Sequence, residues 1–367
     1  MTAQTHLYAA RKDHRMRHRL LPPAADFSQC GSIRSVESLR RHLQTAIELE
    51  HSTIPAYLCA LYTIDVNSNA FAYQTIQSVV MEEMLHMVQA CNLLNAIGGR
   101  PSIDHPHFIP EYPTYLPHSN RAFLVSLEKF SRSALQTFLK IELPAAKSAP
   151  PEPNHYQTIG QFYAAIKHAL NYFDSTVPGG IFVGDCKKQI TPQHYYGGGG
   201  EIIPVYSLAE ANRAIDQIVG QGEGIDGTLF DTDHVLFGEE IEYAHYFKFN
   251  EIAEERRYRP DDRASLPPTG PEVAVCWEAA LNMKTNVKLR DFPEGSPLWQ
   301  AMRAFNVTYM QLLRALHDAC NGNPHLLSTV AVPQMYALKY QAQALLNTPI
   351  GDGFTAGPSF EYIRIGS

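Results

Sequence analysis

The sequence predicts an all-α fold: a four-helix bundle with additional C-terminal helices and an irregular insert that holds short β pieces. Long segments place apolar residues at spacings of three, four or seven, which is the period of an α-helix. Stretches rich in glycine and proline separate these segments. Inside several apolar stripes, glutamate and histidine stand where an apolar side chain would be expected. These patterns favour a helical bundle with a polar site in its interior.

The composition is that of a globular protein and excludes several classes of function. The chain has 367 residues, of which 45% are hydrophobic and 18% charged, so a sizeable core is possible. A net charge of −7 argues against non-specific nucleic-acid binding. No run of about 18 apolar residues occurs, so no membrane span is expected. Six cysteines without a C-x-x-C motif, and a basic N-terminus without an apolar run, predict a cytoplasmic protein.

The helices can be placed along the chain from apolar spacing and from their stop signals. The first covers about residues 36–64 and contains Pro55, where a kink is expected. The second covers about residues 71–97 and ends at Gly98 and Gly99. Further helices are expected at about residues 121–143, 159–173, 208–219, 232–255, 297–320 and 325–346.

The segment 175–206 is predicted to be irregular. It holds two short β-like pieces, GGIFVG and EIIPVY, on either side of the glycine run Gly197–Gly200. No Lys-Ser or Lys-Thr follows these glycines, so they do not form a phosphate-binding loop. We interpret the run as a flexible loop.

Acidic residues interrupt the apolar stripes of the first two predicted helices. Glu50 occupies the middle of the stripe Leu43, Ile47, Ile54 and Leu58. Glu83 occupies the same place on the second helix, and His86 lies three residues later on the same face. On the predicted helix 232–255, Glu242 and His245 form a second Glu-x-x-His pair within an apolar stripe.

These buried acids and imidazoles need a common partner. A buried, unpaired carboxylate costs several kcal/mol, roughly. One Glu-x-x-His is usually a surface pair, but two of them within apolar stripes, together with a third acid, are the pattern of a carboxylate-bridged metal pair in a four-helix bundle. Carboxylate and imidazole ligands without thiolates favour two iron ions, with manganese as the alternative metal. A paired structural network is the other explanation.

The sixth ligand has two candidates. Glu142 is in register with the apolar residues of the predicted helix 121–143, whereas Glu223 lies in the predicted turn QGEG. We take Glu142 first and Glu223 as the alternative ligand. Tyr57, two turns after Glu50, is expected to hydrogen-bond a ligand or to gate electrons. Surface residues or outer partners are expected at Glu48, His51, Glu82, Glu239 and Glu240.

Several long segments resemble a known family. ELEHSTIPAYLCALYTI, EEMLHMVQACNLLNAIGG, FLKIELP, TIGQFYAAI, IVGQGEG and EYAHYFKFNEI occur in this order, followed later by PLWQAMRAFNVTYMQLLRALHDACNG and AGPSFEY. They resemble the ferritin-like domain family of the iminophenyl-pyruvate dimer synthases of violacein and rebeccamycin biosynthesis. The resemblance extends from about Ser35 to Tyr362.

The resemblance implies a ferritin-like core and oxidative chemistry on amino-acid-derived substrates. The dimer synthases couple two tryptophan-derived imines and carry this domain within longer proteins. One motif departs from the family pattern, since TIGQFY has Gln161 where Glu is usual. Some family members are associated with haem, but this chain has no distinctive haem attachment motif. Family habit also implies a homodimer.

The resemblance also sets the expected division of the chain. We expect an N-terminal tail over residues 1–34, a ferritin-like metal-binding domain over residues 35–258, and a C-terminal helical extension over residues 259–367 packed on the same domain.

Three functions follow from these observations. The first is a non-haem di-iron oxidase or oxygenase of specialised metabolism that uses dioxygen on a small amino-acid-derived substrate. Aromatic residues are available to shape its pocket: Tyr57, Phe162, Tyr163, Tyr246 and Phe247. The alternative is an iron-handling ferroxidase or peroxide-consuming protein without an organic substrate, for which the insert 145–206 would be unnecessary. The third is a scaffold whose site serves structure only.

Overall fold

The computed structural model describes residues 30–224 and 227–364. The predicted tail therefore lies outside the described residues as far as residue 29. The helices of the described part are α1 Val36–Thr63, α2 Ala70–Ala96, α3 Arg132–Ile141, α4 Ile159–Thr176, α5 Leu208–Glu223, α6 Asp233–Leu236, α7 His245–Ala253, α8 Pro297–Cys320 and α9 Val332–Leu346. The predicted all-α architecture is confirmed.

Helices α1 and α2 pack against each other along their lengths and supply much of the apolar core. Ser35 caps the start of α1, because its Oγ accepts a hydrogen bond from the Ser38 N–H at 3.1 Å. Pro55 lies within α1, but the helix continues to Thr63. Helix α2 ends before Gly98, as the sequence predicts. Gly98 has a φ of 73°, a left-handed conformation that favours glycine.

The predicted helix 121–143 is shorter than expected. It begins at Arg132, where the Ser131 Oγ accepts a hydrogen bond from the Ala134 N–H. Before it, Arg121 has a φ of 57°, and Val125 exchanges backbone hydrogen bonds with Thr114. A residue in the left-handed region and a β-bridge cannot lie in an α-helix, so the prediction of helix for residues 121–131 was wrong.

The predicted helix 232–255 is also wrong as a continuous element. It folds as the short α6, a loop, and then α7. Gly238 has a φ of 76° and follows α6 in a left-handed conformation that ends a helix. The apolar spacing across this break therefore does not describe one helical face.

The segment 175–206, within the insert, is irregular as predicted, but its two β-like pieces form no strands in the part that the structure describes. Side chains of α2 satisfy the extended backbone instead of a neighbouring strand. The amides of Gln89 and Asn92 pair with the N–H and C=O groups of Ile203 and Ile190 at 2.8 Å. Among the described residues, strands occur only as β1 Pro349–Gly351 and β2 Phe354–Thr355.

The C-terminal helices share the core of the bundle. Helix α8 has the bounds that the sequence predicts, and a π-helical turn over Leu327–Ala331 precedes α9. The Tyr309 hydroxyl of α8 hydrogen-bonds the His51 Nε2 at 2.6 Å, and Asn95 of α2 donates to the Cys320 carbonyl at 2.7 Å. None of the described helices combines the length and apolar composition that crossing a bilayer requires.

Candidate metal centre

Five of the predicted ligands meet between α1, α2, α3 and α7. Glu50 lies within α1 and Glu83 and His86 within α2, while Glu142 directly follows α3 and His245 begins α7. All five side chains are buried, with residue exposures between 0% and 4%. The two long helices fix three of them in register, because a carboxylate and an imidazole three residues apart share one helical face.

The donor atoms form two groups that share one residue. Oxygen and nitrogen atoms of Glu50, Glu83 and His86 lie within 4.8 Å of one another, and so do those of Glu83, Glu142 and His245. The two imidazole rings stand nearly parallel, with centroids 5.5 Å apart. Glu83 therefore occupies the position of a carboxylate that could bridge two metal ions.

The carboxylates of the cluster favour positive charge next to them. Burial disfavours the charged imidazole of His86, but the neighbouring carboxylates of Glu50 and Glu83 outweigh burial and raise its pKa to about 10. Burial, together with repulsion from Glu83, raises the pKa of the Glu50 and Glu142 carboxyls. Protons on the imidazoles balance this negative charge, and a metal ion can take their place.

The chemistry of the donors fits a metal. The buried Nδ1 atom of His245 makes no well-aligned hydrogen bond, although Oε1 of Glu83 is 3.1 Å away and Oε2 of Glu142 is 3.5 Å away. A buried ring nitrogen without a well-aligned hydrogen bond is unfavourable, and a cation between it and these carboxylates would satisfy it. The set of carboxylate oxygens and imidazole nitrogens suits iron or manganese.

A carboxylate fixes the orientation of the His245 ring. The His245 Nε2 lies 2.6 Å from the Glu82 Oε2, which can only accept, so Nε2 carries the hydrogen. In the neutral ring that a metal ligand requires, Nδ1 therefore carries the lone pair, and it faces the cluster. The Lys248 ammonium holds Glu82 in turn, at 2.8 Å from its Oε1. A carboxylate behind a ligating histidine is a common support of metal sites.

A glutamine side chain fixes the orientation of the His86 ring in the same way. The Gln221 amide nitrogen donates to the Gly199 carbonyl at 3.0 Å and to the Asp233 Oδ2 at 2.8 Å, so its oxygen faces the His86 Nε2 at 2.7 Å. The oxygen accepts, and the Nδ1 of His86 is left to face Glu50 and Glu83 at 3.7 Å. Both histidines therefore present the same ring atom.

Hydroxyl groups hold the three carboxylates. The Tyr57 hydroxyl donates to the Glu142 Oε1 at 2.5 Å, and the Tyr163 hydroxyl donates to the Glu50 Oε1. Thr53 donates to the Glu83 Oε2 at 2.6 Å. The structure therefore places Tyr57 against a predicted ligand. Burial raises the pKa of both tyrosines well above the ordinary value, so the hydroxyls keep their protons as donors.

Glu242 is the predicted ligand that the structure does not bring to the cluster. Its side chain is 54% exposed, and its carboxylate pairs with the Lys248 ammonium at 2.8 Å. The prediction placed Glu242 and His245 on one helical face, but Glu242 precedes α7 and lies in the loop after α6. The physical reason is the break at Gly238, which interrupts the helical register.

Glu223, the alternative ligand, lies beside the cluster but points its carboxylate at backbone N–H groups. Its two oxygens accept from Gly160 at 2.6 Å and from Ala145 at 2.8 Å. Burial raises the pKa of Glu223 to about 7, although these hydrogen bonds oppose the rise. The structure therefore brings Glu142, rather than Glu223, together with the other ligands.

Gln161 does not contact the cluster. Its side chain completes the capping box of α4 with Thr158 and donates to the Pro150 carbonyl at 3.0 Å. A glutamine in place of the usual acid can therefore be a helix cap in this chain. Among the predicted pocket aromatics, Phe162 packs on Tyr156 and His42 rather than on a ligand.

The sequence did not identify the groups that orient the histidines. Glu82 was expected at the surface or as an outer partner, and it is the latter. No local sequence pattern marks Gln221 or Lys248, because each acts through a contact between segments that are distant in sequence. The expected outer residue His51 contacts Tyr309, while Glu239 and Glu240 are exposed.

Comparison with known proteins agrees with this architecture. A curated relative, 2-imino-3-(indol-3-yl)propanoate dimerase of Chromobacterium violaceum, is 26% identical in an alignment of 284 residues, gaps included, that covers 67% of this chain and 26% of that protein. The chain thus matches about a quarter of the relative's length. The crystal structure of a ferritin-like protein from Caulobacter vibrioides superposes with a TM-score of 0.60 over 92% of this chain and 99% of that one. At 22% identity, this likeness concerns the fold alone.

The sequence profile of the family described as Ferritin-like matches residues 43–254, which is more than half of the chain. The matched segment contains all five residues of the cluster. The chain therefore belongs to the ferritin-like family.

Proposed function

We propose that this chain is a di-iron oxidoreductase that uses dioxygen to oxidise a small amino-acid-derived molecule. The ligands are Glu50, Glu83, His86, Glu142 and His245. The observation that carries the proposal is Glu83, whose carboxylate belongs to both groups of possible metal ligands. A shared carboxylate between two Glu/His groups is the arrangement of di-iron and di-manganese proteins of this bundle type.

The protein orients the ligand side chains and excludes water from the centre. When bound, the iron ions supply the redox chemistry with dioxygen. Glu82 and Gln221 hold the imidazoles so that Nδ1 faces the ions. The hydroxyls of Tyr57 and Tyr163 keep Glu142 and Glu50 in place. Complete burial of the cluster excludes bulk water and strengthens each of these contacts.

A cavity lined by the sequence neighbours of Glu142 and His245 supports the proposal of a small aromatic substrate. It has a volume of about 560 Å³ and is lined by Glu223, Tyr246, Phe247 and Arg263 among others. Tyr246 directly follows the ligand His245, and the charge of Glu142 acts on Glu223. Aromatic side chains can pack on an aromatic ring, and the exposed Arg263 guanidinium can pair with a carboxylate.

The name of the relative from Chromobacterium violaceum indicates a class of substrate to test. It describes a dimerase of an indole-bearing imino acid. An imino acid of this kind has the ring and the carboxylate that the cavity can accommodate. We therefore take imines of aromatic amino acids as the substrate class.

The experiment is to load the metal-free chain with Fe(II) anaerobically, admit dioxygen, and follow the absorbance spectrum and dioxygen consumption with and without such imines. We expect the imine to accelerate dioxygen consumption, and Glu83→Ala to abolish the effect. Arg263→Gln should raise the KM for the imine without loss of iron, while Arg290→Gln, at an arginine outside the cavity whose side chain is 77% exposed, should not.

The opposite result is also informative. If the loaded chain oxidises iron with dioxygen and no imine changes the rate or is consumed, the oxidase proposal fails. The iron-handling alternative, which needs no organic substrate, then explains the centre.

A further inference from the structure

A narrow cavity lies between α1, α2, α8 and α9, and the proposed function gives it no role. Its volume is about 60 Å³. We name it the apolar cavity, because aliphatic, methionine and aromatic side chains form most of its wall, among them Leu58, Met87, Leu313 and Leu338. The larger cavity around Tyr246, proposed above for the organic molecule, is named the substrate cavity.

The polar side chains of the apolar cavity bond one another and offer water few partners. The Tyr309 hydroxyl and the His51 Nε2 are hydrogen-bonded at 2.6 Å. The Tyr195 hydroxyl donates to the Tyr196 hydroxyl at 3.3 Å, which donates to the Met84 Sδ at 3.5 Å. A buried water molecule typically makes about three hydrogen bonds. An apolar molecule therefore fits this cavity better than water does.

The volume of the apolar cavity limits the size of its occupant. Pockets for small organic ligands occupy about 300–1,000 Å³. The substrate cavity, with about 560 Å³, falls within this range, whereas the apolar cavity, with about 60 Å³, is too small for an aromatic imino acid. Dry apolar cavities in proteins bind xenon and other small apolar molecules. Dioxygen has the size and the apolar character that this cavity admits.

The apolar cavity extends from the interior toward the surface. His51 and Tyr62, both in its wall, are about 16 Å apart along α1, at about 1.5 Å per residue. His51 is buried, whereas Tyr62, Tyr196 and Met335 are half-buried. A methionine side chain has three rotatable bonds, so Met335 can move aside for a small molecule while the backbone stays in place.

The buried part of the apolar cavity lies beside the proposed ligands. Ile54 and Met87 both line the cavity. Ile54 follows Glu50 by four residues on α1, and Met87 follows Glu83 by four residues on α2. Residues four apart are neighbours on one helical face. The cavity therefore approaches the cluster along the faces that carry these two carboxylates.

The two cavities reach the cluster from different elements. Leu143 and Tyr246, which line the substrate cavity, directly follow the ligands Glu142 and His245. The apolar cavity is lined instead by residues of α1 and α2. Among the residues that the structure describes, the two walls have none in common. An organic molecule in the substrate cavity would therefore leave the apolar cavity open.

We propose that the apolar cavity binds dioxygen and guides it to the metal centre. This inference rests on the part of the proposed function in which a metal centre reacts with dioxygen. It adds that the gas and the organic molecule arrive from different sides of the cluster. No bond forms or breaks in the cavity, so its contribution is binding and diffusion alone.

The first measurement needs neither iron nor activity. Crystals of the metal-free full-length chain are exposed to pressurised xenon, an apolar gas that scatters X-rays strongly. We expect xenon in the apolar cavity of wild type, and its exclusion in Leu338→Phe, which places a larger side chain in the wall. The control is Leu345→Phe, the same change two turns later on α9, at a buried residue outside the wall. It should bind xenon as wild type does.

The second measurement is the reaction of the Fe(II)-loaded chain with dioxygen, followed by stopped-flow absorbance at several dioxygen concentrations. If the phenylalanine leaves the passage open about a tenth of the time, entry slows on the order of tenfold. We therefore expect Leu338→Phe to react about tenfold more slowly at wild-type iron content, and Leu345→Phe to react at the wild-type rate. Leu316→Phe narrows the cavity from α8 and should reproduce the defect, so it replaces Leu338→Phe if that variant does not fold.

The results that would overturn the inference can be told apart. If wild-type crystals hold no xenon in the apolar cavity, the cavity binds no gas and the inference fails. If xenon binds but both filling variants react with dioxygen as fast as the control, the cavity is not the route. If the iron-loaded wild type does not react with dioxygen, the proposed function fails and the route fails with it. A failure of the imine experiment alone removes the organic substrate and leaves the route standing.

Discussion

At the scale of single residues, the proposed metal centre depends on side chains that are not among its candidate ligands. The imidazole of His245 has two ring nitrogens, and the hydrogen bond to Glu82 decides which of them faces the cluster. The neutral amide oxygen of Gln221 fixes in the same way which nitrogen of His86 faces the cluster. The two histidines are therefore supported unequally, one by a charged partner and one by an amide.

This difference leads to a prediction for Glu82→Gln. The amide oxygen can still accept from the His245 Nε2, but the charge that strengthens the imidazole as a ligand is lost. We expect the affinity for Fe(II) to fall by about tenfold to 100-fold, measured by competition with a chelator. Glu242→Gln is the matched control, because Glu242 also pairs with Lys248 but does not contact His245. Equal affinity in wild type and Glu82→Gln would contradict the assigned role.

The residues that the sequence identified and those it missed differ in a physical way. Glu50, Glu83 and His86 lie within uninterrupted helices, where spacing along the chain fixes the face of each side chain. Glu242 was assigned by the same rule across a segment that breaks at Gly238, so the rule did not apply. Gln221 meets His86 only because α5 packs on α2, and no local pattern encodes that contact.

At the scale of elements, α2 organises two layers of the molecule. One face carries Glu83 and His86, and another carries Gln89 and Asn92, whose amides take the place of a strand for the insert. The sequence indicated β structure there because β-branched residues favour an extended backbone. The same sequence pattern results whether a neighbouring strand or a side chain makes the hydrogen bonds to that backbone. Which of the two does so depends on tertiary packing.

Removal of one of these amides should loosen the insert. Asn92→Ala leaves the buried N–H and C=O groups of Ile190 without partners. We expect the free energy of unfolding to fall by about 2–6 kcal/mol, since each of the two buried groups left unpaired costs about 1–3 kcal/mol. Urea denaturation measures the change, and amide exchange at Ile190 should accelerate. Asn171→Ala, a half-buried asparagine that bonds within α4 and to Asn212, should have a much smaller effect.

At the scale of the whole molecule, burial of several acids makes stability depend on pH. The Glu223 carboxyl has its pKa raised by burial from 4.5 to about 7. A raised pKa means that the folded chain holds a proton which the unfolded chain has released. Its contribution to stability is therefore fully present below pH 4.5 and is lost as pH rises through 7.

The metal-free wild type should accordingly lose about 3 kcal/mol through Glu223 across this pH range. Glu223→Gln removes this titration but leaves the other acids in place. The free energy of unfolding of the variant should therefore decline less steeply than that of wild type between pH 5 and pH 7.5. The difference between the two declines should be on the order of the free energy of two pKa units. Urea denaturation of both proteins at the two pH values gives the slopes. Identical slopes in wild type and variant would show that Glu223 does not titrate in this way.

The central claim of the proposal is that Glu83, which belongs to both groups of candidate ligands, would be shared by two metal ions. Its most direct test is the iron content of the anaerobically loaded and desalted chain, determined by mass spectrometry of the metal. We predict two iron ions per wild-type chain, one ion each in Glu50→Ala and Glu142→Ala, and none in Glu83→Ala. A Glu83→Ala chain that retains both ions would contradict the account.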